Sequence, residues 1–202
     1  MTVGAYGVAS TTAAIDSPAR PMFPSDLAAK QPPASETGPE WLHWLSPLLS
    51  DLEANQALAS ALVTLQSRQP NRGDRAFAEA KRTLAIRPYD GALWVALALL
   101  QASRDPHDPT VAEALKMAYF VAPNDARLMP LRLDTATRFD AVSIPDLREA
   151  VQGDVRLMMT RGDKPLREAV RSAYRRSSDI GKAFIEATVQ AIDPSLLPLV
   201  RG

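Results

Sequence analysis

Two prolines set 35 residues apart, Pro88 and Pro123, constrain the fold of this chain more than any other feature. Each follows a segment in which apolar residues recur at helical spacing, and each is followed by a turn dipeptide. Proline lacks a backbone donor and clashes with the preceding helical turn, so each one ends a helix. The stretch 89–124 therefore contains two helices joined by a loop, and neither helix can bury its apolar face without neighbours. The sequence predicts helical hairpins that stack along the chain.

The composition indicates an all-α protein. Alanine and leucine dominate the apolar residues, whereas aromatic residues make up only 6% of the chain, and strands favour β-branched and aromatic side chains. With 202 residues, the chain is long enough for one domain with a sizeable core. We predict a disordered tail over 1–38, where prolines and small residues show no sustained period, and a single helical domain over 39–202.

Charge and cysteine content exclude several classes of function. The formal net charge is zero, because 23 basic residues balance 23 acidic ones, so no long-range field attracts nucleic acid or an anionic membrane. The chain has no cysteine, which excludes disulfides and thiolate catalysis. No apolar run approaches the roughly 20 residues of a membrane span, and the first residues lack the features of a secretory signal. We expect a soluble, cytoplasmic protein that does not bind nucleic acid.

The units that the two prolines close resemble the tetratricopeptide repeat, a helix-turn-helix unit of about 34 residues. The best-matched unit has the early and late residue types of that family at Trp94, Leu97, Ala98, Val111, Leu115, Ala118 and Pro123. A less regular copy occupies 55–88, and a third begins at Ala126. The resemblance implies stacked helical hairpins over 55–140, and the helical periodicity of 141–202 predicts an irregular helical cap there.

The registers of these helices predict which side chains are buried. Trp94 shares a helical face with Leu97 and Gln101, so we interpret its indole as a core group and not as a ligand platform. Tyr119 and Phe120 lie on different faces of the next helix, and the sequence leaves open which of them is exposed. In the following helix, we expect a solvated or ion-paired face formed by Arg132, Asp134 and Arg138.

A row of arginines concentrates positive charge near the C-terminus. Arg167, Arg171 and Arg175 follow at intervals of four residues and therefore lie on one face of a helix. Guanidinium groups hold phosphate, anionic sugars or acidic peptides through paired N–H donors, so these residues are candidate contacts for an anion or a partner. The other interpretation is a solvated face that neighbouring acidic residues partly neutralise.

No combination of residues in the sequence predicts catalysis. The two histidines, His43 and His107, have no ligand residues at typical metal-binding spacing, and His107 lies among prolines and aspartates that are typical of turns. The sequence has no glycine-rich phosphate loop and no HExxH motif. We therefore predict no catalytic, cofactor-binding or metal-binding residue and expect that the protein is not an enzyme, although two carboxylates could still meet between helices.

These features favour a scaffolding or protein–protein interaction module with a protein or peptide partner. Residues 123–139, PNDARLMPLRLDTATRF, and the PDLR and DVRLMMT segments after them resemble small bacterial helical-repeat proteins associated with exopolysaccharide production. This resemblance implies a role in polysaccharide biosynthesis or export. The alternative is a carbohydrate- or anion-binding protein, or an enzyme, with an arginine-lined groove. A deep pocket with buried carboxylates would favour the alternative, and an open groove along the first helix of each hairpin would favour the scaffold.

Overall fold

The computed structural model describes residues 50–67 and 70–202. Within these ranges the chain forms nine α-helices and no strand, which confirms the predicted all-α class. The helices are α1 (Ser50–Ser67), α2 (Pro70–Ile86), α3 (Gly91–Arg104), α4 (Pro109–Val121), α5 (Met129–Arg138), α6 (Pro145–Thr160), α7 (Lys164–Arg176), α8 (Asp179–Ile192) and α9 (Leu197–Arg201). None of the described helices combines the length and apolar character needed to cross a bilayer.

Some sequence predictions lie outside the described residues. They are the disordered tail over 1–38 and the start of the helical domain over 39–49, which includes His43. Helical periodicity predicts helices over 164–176 and 180–192, and the bounds of α7 and α8 confirm them to within one residue. The short closing helix predicted over 194–200 is a 3-10 turn, Pro194–Leu196, followed by α9.

Two capping residues expected from the sequence are wrong. The sequence predicts a loop over 69–73 and Asp74 as the N-cap of the next helix, but α2 includes Pro70 and Asp74 lies inside it. The sequence also predicts Ser143 as the N-cap of α6 with Pro145 near its first turn. Pro145 does open α6, but Ile144 occupies the capping position and Ser143 ends a 3-10 turn. In both places the helix begins at a proline, whose fixed φ angle suits the first helical position.

Helix α3 lies at the centre of the first half of the molecule, against α1, α2, α4 and α5. Asp90 caps it by accepting a hydrogen bond from the amide of Leu93 at 3.2 Å. Its residues from Val95 to Leu100 are all buried, and six consecutive residues cover every side of a helix with 3.6 residues per turn. Helix α3 is therefore a core element, as its apolar sequence predicts.

Helix α5 is just as central to the second half. Every residue from Met129 to Thr137 is buried, because α5 contacts α3, α4, α6, α7 and α8. Arg132 and Asp134 are ion-paired, as one of the two expectations had it, but they are buried and not solvated. Arg132 pairs with the buried Asp154 of α6, and Asp134 pairs with the partly exposed Arg176 of α7. Only Arg138 of the three predicted residues is exposed.

The turn between α7 and α8 is fastened to the end of α5. The hydroxyl of Ser178 donates to the carbonyl of Thr137 at 3.0 Å, and the hydroxyl of Ser177 donates to the Thr137 hydroxyl at 2.8 Å. Gly181 passes so close that a Cβ there would lie 2.1 Å from the Thr137 carbonyl oxygen. The last helices are thus attached to the central helix by backbone contacts as well as by side chains.

Candidate functional site

Three large apolar side chains of the described chain are exposed at one end of the α2–α3–α4 group. Ile86 is the last residue of α2, Tyr89 lies in the turn that follows, and Phe120 lies in the last turn of α4. Their exposed fractions are 58%, 80% and 77%, respectively. We call these three residues the aromatic end. Clusters of exposed large apolar residues on a folded protein commonly mark contact surfaces.

A close contact between two helix ends brings the members of the aromatic end to the same side. Gly91 opens α3 two residues after Tyr89, and Ala122 follows α4 two residues after Phe120. A Cβ at Gly91 would lie only 2.6 Å from the Cβ of Ala122, so the two chain segments are in close contact. Tyr89 and Phe120 therefore lie at the same end of the α3–α4 pair.

The turn that carries Tyr89 is held in place on both sides. The indole N–H of Trp94 donates to the carbonyl of Pro88 at 2.7 Å, while its half-buried ring packs against the core. Arg87 donates a hydrogen bond to Asp51 in the first turn of α1. Trp94 thus packs against the core, as its register predicts, and it also fixes the position of the exposed Tyr89.

A buried cluster of Tyr119, Asp154 and Arg132 joins α4, α5 and α6. Arg132 forms a bidentate interaction with the Asp154 carboxylate. Its Nη2 donates to Oδ1 at 3.0 Å and its Nε donates to Oδ2 at 3.1 Å. The Tyr119 hydroxyl donates to the same Oδ2 at 2.9 Å, and the guanidinium lies 4.2 Å from the centre of the Tyr119 ring. The remaining Arg132 donors reach the carbonyls of Ala122 (2.6 Å) and Pro123 (3.2 Å). The cluster therefore also positions the chain just after Phe120.

Burial determines the electrostatics of this cluster. Desolvation raises the pKa of Asp154 to about 6, although the nearby charge of Arg132 and the hydrogen bonds from Arg132 and Tyr119 oppose the rise. Desolvation and the negative charge of Asp154 raise the pKa of Tyr119 well above its ordinary value. Arg132 and Tyr119 donate to both oxygens of the Asp154 carboxylate. The cluster therefore has a structural role, because it connects three helices.

A second cluster of the same three chemical types lies near the C-terminus. Arg201 of α9 donates to Glu186 through Nε at 3.0 Å and Nη2 at 2.5 Å, and the Tyr174 hydroxyl donates to Glu186 at 2.5 Å. These hydrogen bonds, led by those from Arg201, lower the pKa of Glu186 to about 2. The Arg201 side chain is about half exposed, so this cluster fastens α9 to α7 and α8 at the surface.

The candidate arginines share one face of α7, as their spacing predicts. Each is bound to a neighbour in sequence: Arg167 to the Gly162 carbonyl (3.1 Å), Arg171 to Glu168 (3.5 Å) and Arg175 to Ser172 (3.4 Å). The C-terminal Gly202 also lies beside Arg171, since a Cβ there would be 3.2 Å from Nη2. These contacts use part of the donor capacity that an anion would need.

Two of the helices expected to line an open groove, α3 and α5, do not offer an exposed face. In α3 only Ala92, Trp94 and Gln101 are half-buried among otherwise buried residues apart from the last turn, and α5 is buried from Met129 to Thr137. Three of the five exposed large apolar side chains of the described residues lie instead at the aromatic end. The periodicity of apolar residues could not predict the exposure of these side chains. Tyr89 lies in a turn, and Phe120 lies at a helical position between two faces.

His107 lies exposed in the loop between α3 and α4, where its amide donates to the Asp105 carboxylate at 2.9 Å. In the part of the chain that the structure describes, no group of three or more His, Asp or Glu side chains is arranged to hold a metal ion. His107 thus has a turn environment, and nothing near it in the described residues points to catalysis.

Comparisons of the chain with protein-family models, with curated proteins and with solved structures gave no match. The two resemblances seen in the sequence therefore depend on the residues of this chain alone.

Proposed function

We propose that the protein is an interaction module built from stacked helical hairpins of the tetratricopeptide type. In this arrangement α1–α2 and α3–α4 are successive units, α5 begins a third, and the later helices form the cap. The helix neighbours support the proposal: α3 contacts both helices of the preceding pair, and α5 contacts both helices of the α3–α4 pair. Each unit then buries its apolar face against the next one.

The aromatic end is the observation that carries the interaction function. Tyr89 and Phe120 are each more than three-quarters exposed, on backbone that Trp94 and Arg132 hold in place. Large aromatic side chains on a rigid support lose little conformational entropy on binding, and aromatic residues are enriched at the centres of protein interfaces. The partner we propose is a protein or peptide segment with apolar side chains.

The similarity of residues 123–139 to exopolysaccharide-associated proteins supports seeking this partner among proteins of polysaccharide biosynthesis or export. That pathway is the part of the proposal that depends on the sequence resemblance alone. The docking surface is independent of it.

Paired substitutions test the proposed surface. Proteins captured by the unmodified chain are compared with those captured by Tyr89→Ser/Phe120→Ser and by the control Ile180→Ser/Leu199→Ser, which changes exposed apolar residues elsewhere. We expect a partner that the first variant loses and the control keeps, with the loss reproduced in a titration of purified proteins. Equal binding to both variants would contradict the aromatic end. Loss only in Arg167→Glu/Arg175→Glu would favour an anionic ligand on α7.

A further inference from the structure

The chain enters the described structure beside the aromatic end. Asp51, in the first turn of α1, accepts a hydrogen bond from Arg87, the residue that follows Ile86. Glu53 lies 3.6 Å from Arg82 of α2, so the start of α1 runs along the end of α2. Ser50, the first described residue, therefore lies at the same end of the α1–α2 pair as Ile86 and the turn that carries Tyr89.

The sequence just before α1 is strongly apolar. Residues 41–49, WLHWLSPLL, contain two tryptophans and four leucines and no Asp, Glu, Lys or Arg. A segment of this length reaches about 14 Å as a helix and about 30 Å when extended. No linker separates it from α1, so it can contact nearby surface without a large loss of chain entropy. Its apolar character matches that of the aromatic end.

We propose that residues 41–49 dock on the aromatic end of the same molecule and cover Tyr89 and Phe120. A tethered segment acts at a high effective concentration, so it occupies a nearby apolar surface ahead of most partners in solution. An outside partner then has to displace it. The docking itself is independent of the proposed function, and only its role as a competitor rests on that function.

Engineered cysteines test the docking directly, because the chain has no cysteine of its own. In Trp44→Cys/Tyr89→Cys we expect mild oxidation to consume both thiols and to give a crosslinked monomer. The matched control is Trp44→Cys/His107→Cys, since His107 lies in the loop at the opposite end of the α3–α4 pair. Equal crosslinking of the two pairs, or none in either, would overturn the proposal. A disulfide-linked dimer through Tyr89→Cys would identify a second copy as the occupant and also overturn it.

A measurement without cysteines separates docking from any effect of the crosslink. Hydroxyl-radical labelling of Tyr89 and Phe120 is compared between the unmodified chain and Trp41→Ser/Trp44→Ser, with the exposed Leu199 as an internal reference. We expect labelling of both aromatic residues to rise in the variant while that of Leu199 stays constant. Unchanged labelling of both would refute docking and would leave the partner-binding test under the proposed function unaffected.

Discussion

The molecule contains the same Tyr–carboxylate–Arg combination twice, in opposite surroundings. Tyr119, Asp154 and Arg132 are buried between three helices, whereas the matching group of α7, α8 and α9 lies at the surface. The hydrogen bonding is the same in both clusters, because each carboxylate accepts from a bidentate arginine and from one tyrosine hydroxyl. Yet the pKa of Asp154 rises to about 6 and that of Glu186 falls to about 2.

This difference shows that the burial of an ion pair determines whether the pKa of its carboxyl group rises or falls. At the surface, water still solvates the groups, so the added hydrogen bonds simply favour the charged carboxylate. In the interior, the loss of hydration destabilises the charged carboxylate by more than the interaction with arginine stabilises it. A buried pair of this kind therefore specifies how helices meet, and breaking it leaves an uncompensated charge.

The largest expected effect is the removal of the buried carboxylate. Asp154→Ala leaves the Arg132 guanidinium without its counter-ion, and we expect a loss of about 3 to 5 kcal/mol in the free energy of unfolding. Urea denaturation measures it. Glu186→Ala is the matched surface variant and should shift the denaturation midpoint far less. Similar losses in both variants would remove the distinction between the two clusters.

The pH dependence of stability should have opposite signs in the two clusters. Folded Asp154 has a pKa of about 6, against an ordinary value of 3.8, so between about pH 4 and 6 the folded state holds a proton that the unfolded chain releases. The contribution of Asp154 to the free energy of unfolding therefore falls, by up to about 3 kcal/mol, as the pH rises through this window. Glu186, lowered from 4.5 to about 2, contributes stability above pH 4.5 that is lost as the pH falls toward 2.

Two isosteric variants separate these contributions. Asp154→Asn mimics the protonated acid and should remove the part of the slope between pH 4 and 6, at a smaller cost in stability than Asp154→Ala. Glu186→Gln should leave that part unchanged and flatten the curve below pH 4.5. If Asp154→Asn retains the full slope, the titrating group lies elsewhere.

Removing the tyrosine hydroxyl from each cluster should produce a smaller difference in stability between the two clusters. Tyr119→Phe deletes a buried hydrogen bond to a charged acceptor, and we expect a loss of about 2 kcal/mol in the free energy of unfolding. It should also raise the pKa of Asp154 further, because the Tyr119 hydroxyl lowers it. Tyr174→Phe should cost less. Carbon-13 NMR titration of the carboxyl groups measures the pKa change, and a fall in the Asp154 pKa would contradict this account.

Added salt should have the smallest effect, a change in the pKa of the exposed carboxyl group. Charge screening alone should then distinguish the two clusters. At about 1 M ionic strength the screening length is roughly 3 Å, so added salt weakens interactions between exposed charges. We expect the pKa of Glu186 to move up toward its ordinary value while that of Asp154 changes little. Equal shifts in the two NMR titrations would show that solvent reaches both clusters.

The local parts of the fold could be predicted from the sequence. The spacing of apolar residues and the prolines predicted α3, α4, α7 and α8, because helical periodicity and proline sterics act over a few residues. The start of α2 was predicted wrongly, because Asp74 was taken as its cap although Pro70 already lies in the helix. For α6, Pro145 was correctly placed in the first turn, but the capping residue is Ile144 and not Ser143.

The candidate site was harder to predict. The sequence left open which of Tyr119 and Phe120 is exposed and treated Tyr89 only as part of a turn. It also placed Arg132 on a solvated or ion-paired face and did not predict that its ion pair is buried. Each of these depends on a contact across the fold: Tyr119 with Asp154, Gly91 with Ala122, and Arg132 with α6. A helical register specifies a direction, but it does not specify whether another helix lies in that direction.

The sequence by itself determined the all-helical class and the helix ends before Pro88 and Pro123. It could do so because hydrophobic period, capping and proline geometry are short-range properties of the chain. Only the tertiary structure decided that the Tyr–Asp–Arg cluster is buried and the Tyr–Glu–Arg cluster lies at the surface, and that three exposed apolar side chains lie at one end of the α2–α3–α4 group. Burial and desolvation depend on helices that are distant in sequence, and those neighbours set both the sign of each pKa change and the surface available to a partner.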